Sequence, residues 1–145
     1  MQKKDKKTAR RTPPRGWPTW PKEKLLDLRV SDLGLRIDGS ELKPRIRQLY
    51  SELHKRGFVF RPHFWLSDEW YCPDGVPGVA IPFYLAHPRL KKLEREFMLE
   101  VEGGTREACM RLLRHETGHA LLNAYRLHRR RDWQKHFGKS STKYP

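Results

Sequence analysis

A long helix predicted at residues 106–125, or slightly beyond, constrains the fold more than any other segment. Gly103 and Gly104 break the chain before it, and Thr105 stands where a side chain can cap its first turn. Glu107 lies in that first turn, where a negative charge interacts favourably with the helix dipole. The functional interpretation of the chain depends on what this helix carries.

The segments before this helix predict an α+β domain with two or three helices and a small sheet. Apolar residues at three- and four-residue intervals predict a helix after Ser40, its N-cap, and Pro88 predicts the start of another. Residues 58–66 are β-rich, and residues 79–85 form the best predicted strand. Because Pro82 cannot donate to a ladder, we expect this strand at an exposed sheet edge, packed on the long helix.

Composition and charge favour one domain preceded by a basic arm. The 145 residues include 31 Lys+Arg and 17 Asp+Glu, which gives a net charge of +14. Residues 1–16 hold seven of the basic residues and one acid, so they predict a disordered arm, with the domain at 17–145. No apolar run approaches the roughly 20 residues that span a bilayer. Two cysteines and the lack of a secretory signal favour the cytoplasm.

The long helix contains His115-Glu116-Thr117-Gly118-His119, an HExxH motif. Residues four apart lie about 40° apart around a helix and one turn along it, so both imidazoles can ligate one Zn²⁺. Glu116, about 100° from His115, is in the position of a general base that takes a proton from water at the metal. Gly118 in a helix interior suggests the close approach of another backbone or of a metal-site wall.

A third zinc ligand, which a catalytic site requires, is not evident in the sequence. Leu122 and Tyr125 stand where a metzincin would have glycine and histidine, so that class is excluded. His128 would point away from the motif if the helix continues. His136 could fold back towards it, and Cys72 could supply a thiolate from a loop. Three further histidines are expected at the surface or in the core: His54, His63 and His87.

The predicted edge strand offers a substrate-binding surface beside the motif. A peptide can add to such a strand by β-augmentation, so that its backbone lies next to the metal. The residues assigned to this surface are Val79, Ala80, Ile81, Phe83 and Tyr84.

Over residues 25–144 the chain resembles a zincin-like family, the zinc-binding metallopeptidases of bacteria. The motifs that carry the resemblance are residues 33–37, 60–63, 65–70, 73–78, 81–85, 99–104 and 114–120. The resemblance implies a zincin-like fold, with His115 and His119 as zinc ligands and Glu116 as the catalytic base. It also implies a glutamate beyond the Arg-rich segment as the third ligand. Because no acid follows Asp132, we expect an incomplete site in this chain.

Two classes of function follow from these observations. The first is a zinc-dependent metallopeptidase that hydrolyses a peptide or protein substrate, with this chain expected to be a fragment, the N-terminal half, that lacks the third ligand. The alternative is a non-catalytic basic protein that retains the fold and binds nucleic acid or an acidic partner. The net charge and a second basic cluster motivate it, although no nucleic-acid motif accompanies the charge, and we expect no membrane partner. The cluster comprises Arg126, Arg129, Arg130, Arg131 and Lys135.

Overall fold

The computed structural model describes residues 12–138, which divide into two units. The first unit ends at Arg36 and the second begins at Ile37. Helices and a small sheet occur together, so the predicted α+β class is confirmed. The predicted basic arm lies outside the described residues, except for residues 12–16.

The described part of the first unit consists of short helical turns. A 3₁₀ turn at Trp17–Thr19 precedes α1, Lys22–Leu25, and a second 3₁₀ turn follows at Val30–Leu33. Trp17, which begins the first turn, is only 6% exposed. The ammonium group of Lys24 lies 3.9 Å from the centre of the Trp20 ring, in a cation–π contact.

The first three helices of the second unit begin at or next to the positions that the sequence predicts, and the fourth is not predicted. These helices are α2 at Leu42–Lys55, α3 at Pro88–Met98, α4 at Arg106–Tyr125 and α5 at Arg131–Phe137. The Thr105 hydroxyl accepts a hydrogen bond from the Ala108 N–H at 3.2 Å, which confirms the predicted cap and start of α4. The Ser40 hydroxyl accepts one from the Leu42 N–H at 3.2 Å. Pro88 occupies the first turn of α3, as predicted.

The sheet of the second unit has two parallel strands, β1 at His63–Ser67 and β2 at Gly78–Pro82. Trp65 pairs with Ala80 in this register. The strand predicted at residues 79–85 is therefore too long, because residues Phe83–Ala86 form a 3₁₀ turn. Pro82 explains the difference: its ring fixes φ and removes the N–H that a longer ladder would need.

The second side of β2 is not free along its whole length. The Ala80 N–H donates to the Tyr71 carbonyl at 2.8 Å, and the Tyr71 N–H donates to the Ala80 carbonyl at 3.4 Å. The loop between the strands turns back alongside β2 to make this bridge, while β1 pairs on the opposite side. The prediction of an exposed edge is therefore wrong at Ala80.

The core of the second unit forms where α4 packs on α2 and on β2. Val79, Ala80 and Ile81 of β2 are 0% exposed, and Leu113 of α4 is equally buried. The expected packing of β2 on the long helix is thus confirmed. This packing leaves one side of α4 outside the core, and the histidines of the motif lie there.

Candidate metal centre

His115 and His119 lie one turn apart on the exposed side of α4. Their ring centroids are 5.1 Å apart, and the ring planes are inclined at 76°. Thr117, between them in the sequence, faces the core and is 2% exposed. The two imidazoles are therefore neighbours on an accessible helix face, an arrangement in which both can ligate one ion.

Glu116 is half-buried, and its charge acts on Cys72 in the loop that joins β1 to β2. Burial raises the pKa of the Cys72 thiol in this loop, and the negative charge of Glu116 raises it further. The carboxylate thus lies beside the loop, around the helix from the two imidazoles. Cys72 therefore lies on the Glu116 side of α4 and not next to the two imidazoles.

Asn123 fixes this loop against α4. Its side-chain amide donates to the carbonyl of Val76 at 2.9 Å and to the carbonyl of Pro73 at 3.1 Å. The same amide lies 3.5 Å from the Cys72 sulfur. Because Asn123 follows Glu116 by seven residues, or about two turns, both project from the same side of the helix. One side of α4 therefore carries both the Glu116 carboxylate and the Asn123 amide that holds the neighbouring loop.

A paired ion bridge joins α4 to α2 immediately before the motif. The Arg114 guanidinium donates to the two carboxylate oxygens of Glu52, from Nη2 at 2.6 Å and from Nε at 3.2 Å. The hydrogen bond from Arg114 lowers the pKa of Glu52, and the same bond raises the pKa of Arg114. Since a two-pronged contact fixes orientation as well as distance, it restrains the rotation of α4 next to His115.

The described residues supply no third ligand for the histidine pair. Within residues 12–138, no three His, Cys, Asp or Glu side chains lie together in a group that could hold a metal ion. Cys72 lies beside Asn123, and His136 lies on α5. Neither completes a three-ligand group with His115 and His119.

Gly118 does not face a neighbouring backbone. In the described part of the chain, no atom from another element or from a neighbouring side chain of α4 beyond residues 117 and 119 lies within 4 Å of the position that a Cβ would occupy there. The interpretation of this glycine as a point of close approach is therefore wrong for these residues. The reason is its place on α4, next to the histidines on the side directed away from the core.

The residues predicted to bind substrate occupy two different environments. Val79, Ala80 and Ile81 are fully buried strand residues, and Ala80 already pairs through its backbone with Tyr71. Phe83 and Tyr84 are half-buried in the 3₁₀ turn that follows β2. The structure therefore does not bring these five side chains together on one open surface.

A cavity of about 630 Å³ lies at the C-terminal end of α4. Its walls come from α4, from the residues that follow it and from the loop before β2: Leu122, Asn123, Arg126, His128, Arg129, Asp74 and Gly75. The expectation that His128 points away from the motif assumed that the helix continues. Instead α4 ends at Tyr125, and Arg126 takes a left-handed conformation with φ of 50°. The chain then folds back, and His128 lies beside the end of α4.

The end of α4 at Tyr125 agrees with the predicted range of 106–125 or slightly beyond, but no signal in the sequence indicates the left-handed conformation of Arg126. Left-handed helix ends are usually marked by glycine or asparagine, and position 126 is an arginine.

None of the helices within residues 12–138 is long and apolar enough to cross a membrane. No protein-family model matches the chain, and neither the curated proteins nor the solved structures contain a match.

Proposed function

We propose that this chain is a zinc-dependent metallopeptidase-like protein with a zincin-like fold. His115 and His119 are the proposed metal ligands, and Glu116 is the proposed general base. The observation that carries the proposal is the pair of adjacent imidazoles, 5.1 Å apart on an exposed helix face, with a half-buried carboxylate between them in the sequence. The two cysteines are both free, so a reducing cytoplasm is the proposed compartment.

The imidazoles of His115 and His119 suit two of the coordination positions of zinc. Imidazole nitrogen is a common zinc ligand, and a catalytic site takes three protein ligands with one position left for water. The third donor is not among residues 12–138, and the family resemblance expects a glutamate for that role. When bound, zinc would supply a water of lowered pKa and would polarise a carbonyl group.

Glu116 is the group of this chain that can move a proton at the site. It is displaced from the two imidazoles by roughly 60 to 100° around α4, so it reaches the space beside them. A carboxylate in that space accepts a proton from water and then delivers it to the amine that leaves. Arg114 is a positioning residue in this account, because its bridge to Glu52 sets the rotation of the helix.

The catalytic role of Glu116 is tested by Glu116→Gln, with Glu107→Gln as a matched control on the first turn of α4. Both variants, and the parent chain, are assayed for peptide-bond hydrolysis with added zinc. We expect Glu116→Gln to lower the rate by a factor of about 100 or more, because it removes the proton acceptor, and Glu107→Gln to leave it unchanged. Equal rates for the two variants, or no hydrolysis by the parent chain, would contradict the proposal.

The alternative proposal is a non-catalytic basic protein that keeps the fold. It is favoured by the lack of a third ligand among the described residues and by the net charge of +14. Such a protein would bind an anionic partner without hydrolysing it. The hydrolysis assay above therefore distinguishes the two proposals: the first expects the parent chain to hydrolyse a peptide bond, and the alternative expects no hydrolysis.

A further inference from the structure

We propose that the cavity at the C-terminal end of α4 binds a carboxylate of a peptide. The position of the cavity beside the motif makes it a specificity site for an acidic side chain or for a free C-terminus. That a peptide is the ligand rests on the proposed function. The capacity to bind a carboxylate rests on the residues of the cavity alone.

Two arginines give the cavity its positive charge. Arg126 and Arg129 are exposed, and no carboxylate in the described part of the chain forms an ion pair with either. Arg130 differs, since its Nε lies 3.4 Å from a carboxylate oxygen of Asp132. Asp74 is the one acid among the cavity's lining residues, so the two guanidinium groups outweigh it. Guanidinium groups bind carboxylates through paired, charge-assisted hydrogen bonds.

His128 adds a polar atom that has no partner among the described residues. Its Nδ1 is buried and makes no hydrogen bond there. The backbone carbonyl of His128 accepts a hydrogen bond from the Gln134 side chain at 3.2 Å, which holds this turn in place. A buried polar atom without a partner is costly. The ring of His128 lines the cavity between the two arginines, on a turn that Gln134 holds in place.

The cavity begins one turn beyond the histidine pair. Leu122 and Asn123, which line it, follow His119 by three and four residues. Arg126 is the C-cap residue of α4 and follows His119 by seven residues, which is about 10 Å along the axis. An extended peptide advances about 3.3 Å per residue, so this distance corresponds to about three residues. A peptide bond held at the motif would therefore place a carboxylate about three residues away in the cavity.

The shape and lining of the cavity favour a peptide over a nucleic acid. A single concave site suits one carboxylate, whereas nucleic-acid binding proteins contact a row of phosphates. None of the lining residues is Phe, Tyr or Trp, the large rings on which bases most often stack. Asp74 would also repel a second negative charge at the rim.

The test measures peptide binding to the full 145-residue chain carrying Glu116→Gln, which prevents turnover. Three six-residue Gly/Ala peptides are compared: one with a free C-terminus, one amidated, and one amidated with an internal Asp. We expect at least one peptide carboxylate to bind more tightly than the neutral amidated peptide. Arg126→Gln and Arg129→Gln should each weaken that binding about tenfold, since each removes a charge-assisted contact. The two acidic peptides distinguish a C-terminal carboxylate from a side-chain carboxylate.

Arg111→Gln is the matched control, because Arg111 is exposed on the same helix one turn before His115 and does not line the cavity. It should leave the affinity unchanged, and Arg126→Lys, which keeps the charge, should recover part of it. Equal losses in Arg111→Gln and Arg126→Gln would overturn the proposal. So would equal binding of all three peptides, or tighter, Arg126-dependent binding of a 12-nucleotide single strand. The binding can hold when hydrolysis fails, and hydrolysis can hold when the binding fails, so the two proposals fail separately.

Discussion

The imidazole of His87 caps α3 and must be neutral to do so. Its Nδ1 accepts a hydrogen bond from the Arg89 N–H at 3.0 Å, and a protonated ring has no lone pair to accept it. Burial also lowers the pKa of His87 from the usual 6.5. The stability that this cap gives to the start of α3 therefore depends on the pH of the solution.

This cap predicts a loss of stability in mild acid. The folded chain has the lower pKa, so the unfolded chain binds the proton first as the pH falls. The contribution is present above about pH 6.5, decreases as the pH falls below that value, and is fully lost below the lowered pKa of the folded state. His87→Asn keeps an N-cap acceptor but has no titrating ring. Its free energy of unfolding in urea should change less between about pH 7.5 and 5.5 than that of the parent.

His54→Asn is the control for this prediction, since His54 is an exposed residue in the last turn of α2. We expect it to keep the pH dependence of the parent chain. The same dependence in His87→Asn as in the parent would show that His87 is not the titrating group.

The residue-level predictions hold where they depend on local helix geometry. The period of an α-helix is enough to place His115 and His119 side by side, and Thr105 is a cap whose role is visible in the sequence. The position of His128 depends instead on the left-handed conformation of Arg126, a residue type that rarely ends a helix in this way. The cavity beside α4 could therefore not be predicted from spacing.

At the scale of elements, the position of α4 depends on contacts at both ends of the motif. The bridge between Arg114 and Glu52 joins it to α2, and Asn123 joins it to the loop before β2. These contacts lie on either side of the histidine pair along the helix. The exposed face of α4 is therefore held in a defined orientation. No other element within residues 12–138 adds a third metal ligand to the two histidines on this face.

Removing one half of this bridge should weaken the attachment of α4 to α2. We expect Glu52→Gln to lower the free energy of unfolding by about 0.5–1 kcal/mol at neutral pH, the range of partly exposed ion pairs. Because the pKa of Glu52 is lowered in the folded chain, its contribution is present above the unfolded-state pKa of the carboxyl group and is lost as the pH falls through the folded value. The difference between variant and parent should therefore disappear in acid. Urea unfolding at several pH values measures it, and a difference that persists in acid would contradict this assignment.

The sheet shows which part of an element a sequence pattern can predict. The apolar run at residues 79–85 correctly places a buried strand next to α4. It does not predict the bridge between Tyr71 and Ala80, because that pairing depends on how the intervening loop turns. It also overestimates the length of the strand, since Pro82 ends the ladder. Alternation and burial are local properties, whereas the partner of a strand edge is set by the tertiary fold.

At the scale of the whole molecule, the net charge has the sign that the proposed acidic ligand requires. The chain carries a net charge of +14, and two arginines that form no ion pair within residues 12–138 line a cavity one turn from the histidine pair. Long-range attraction raises the rate at which an acidic ligand reaches the protein, and it weakens as salt increases. The cavity would add a short-range contact at one place. The variants of Arg126 and Arg129 therefore distinguish binding in the cavity from the long-range attraction that the net charge of the chain produces.

Metal stoichiometry determines whether His115 and His119 hold a metal ion, as the claim of a zinc site requires. The tag-free chain is equilibrated with zinc, dialysed and measured by plasma mass spectrometry, beside His115→Ala/His119→Ala and the control His54→Ala/His63→Ala. We predict about one equivalent of zinc in the parent and in the control, and its loss in the variant of the motif, because only that variant removes both adjacent imidazoles. Equal zinc in all three proteins, or none in the parent chain, would contradict the claim.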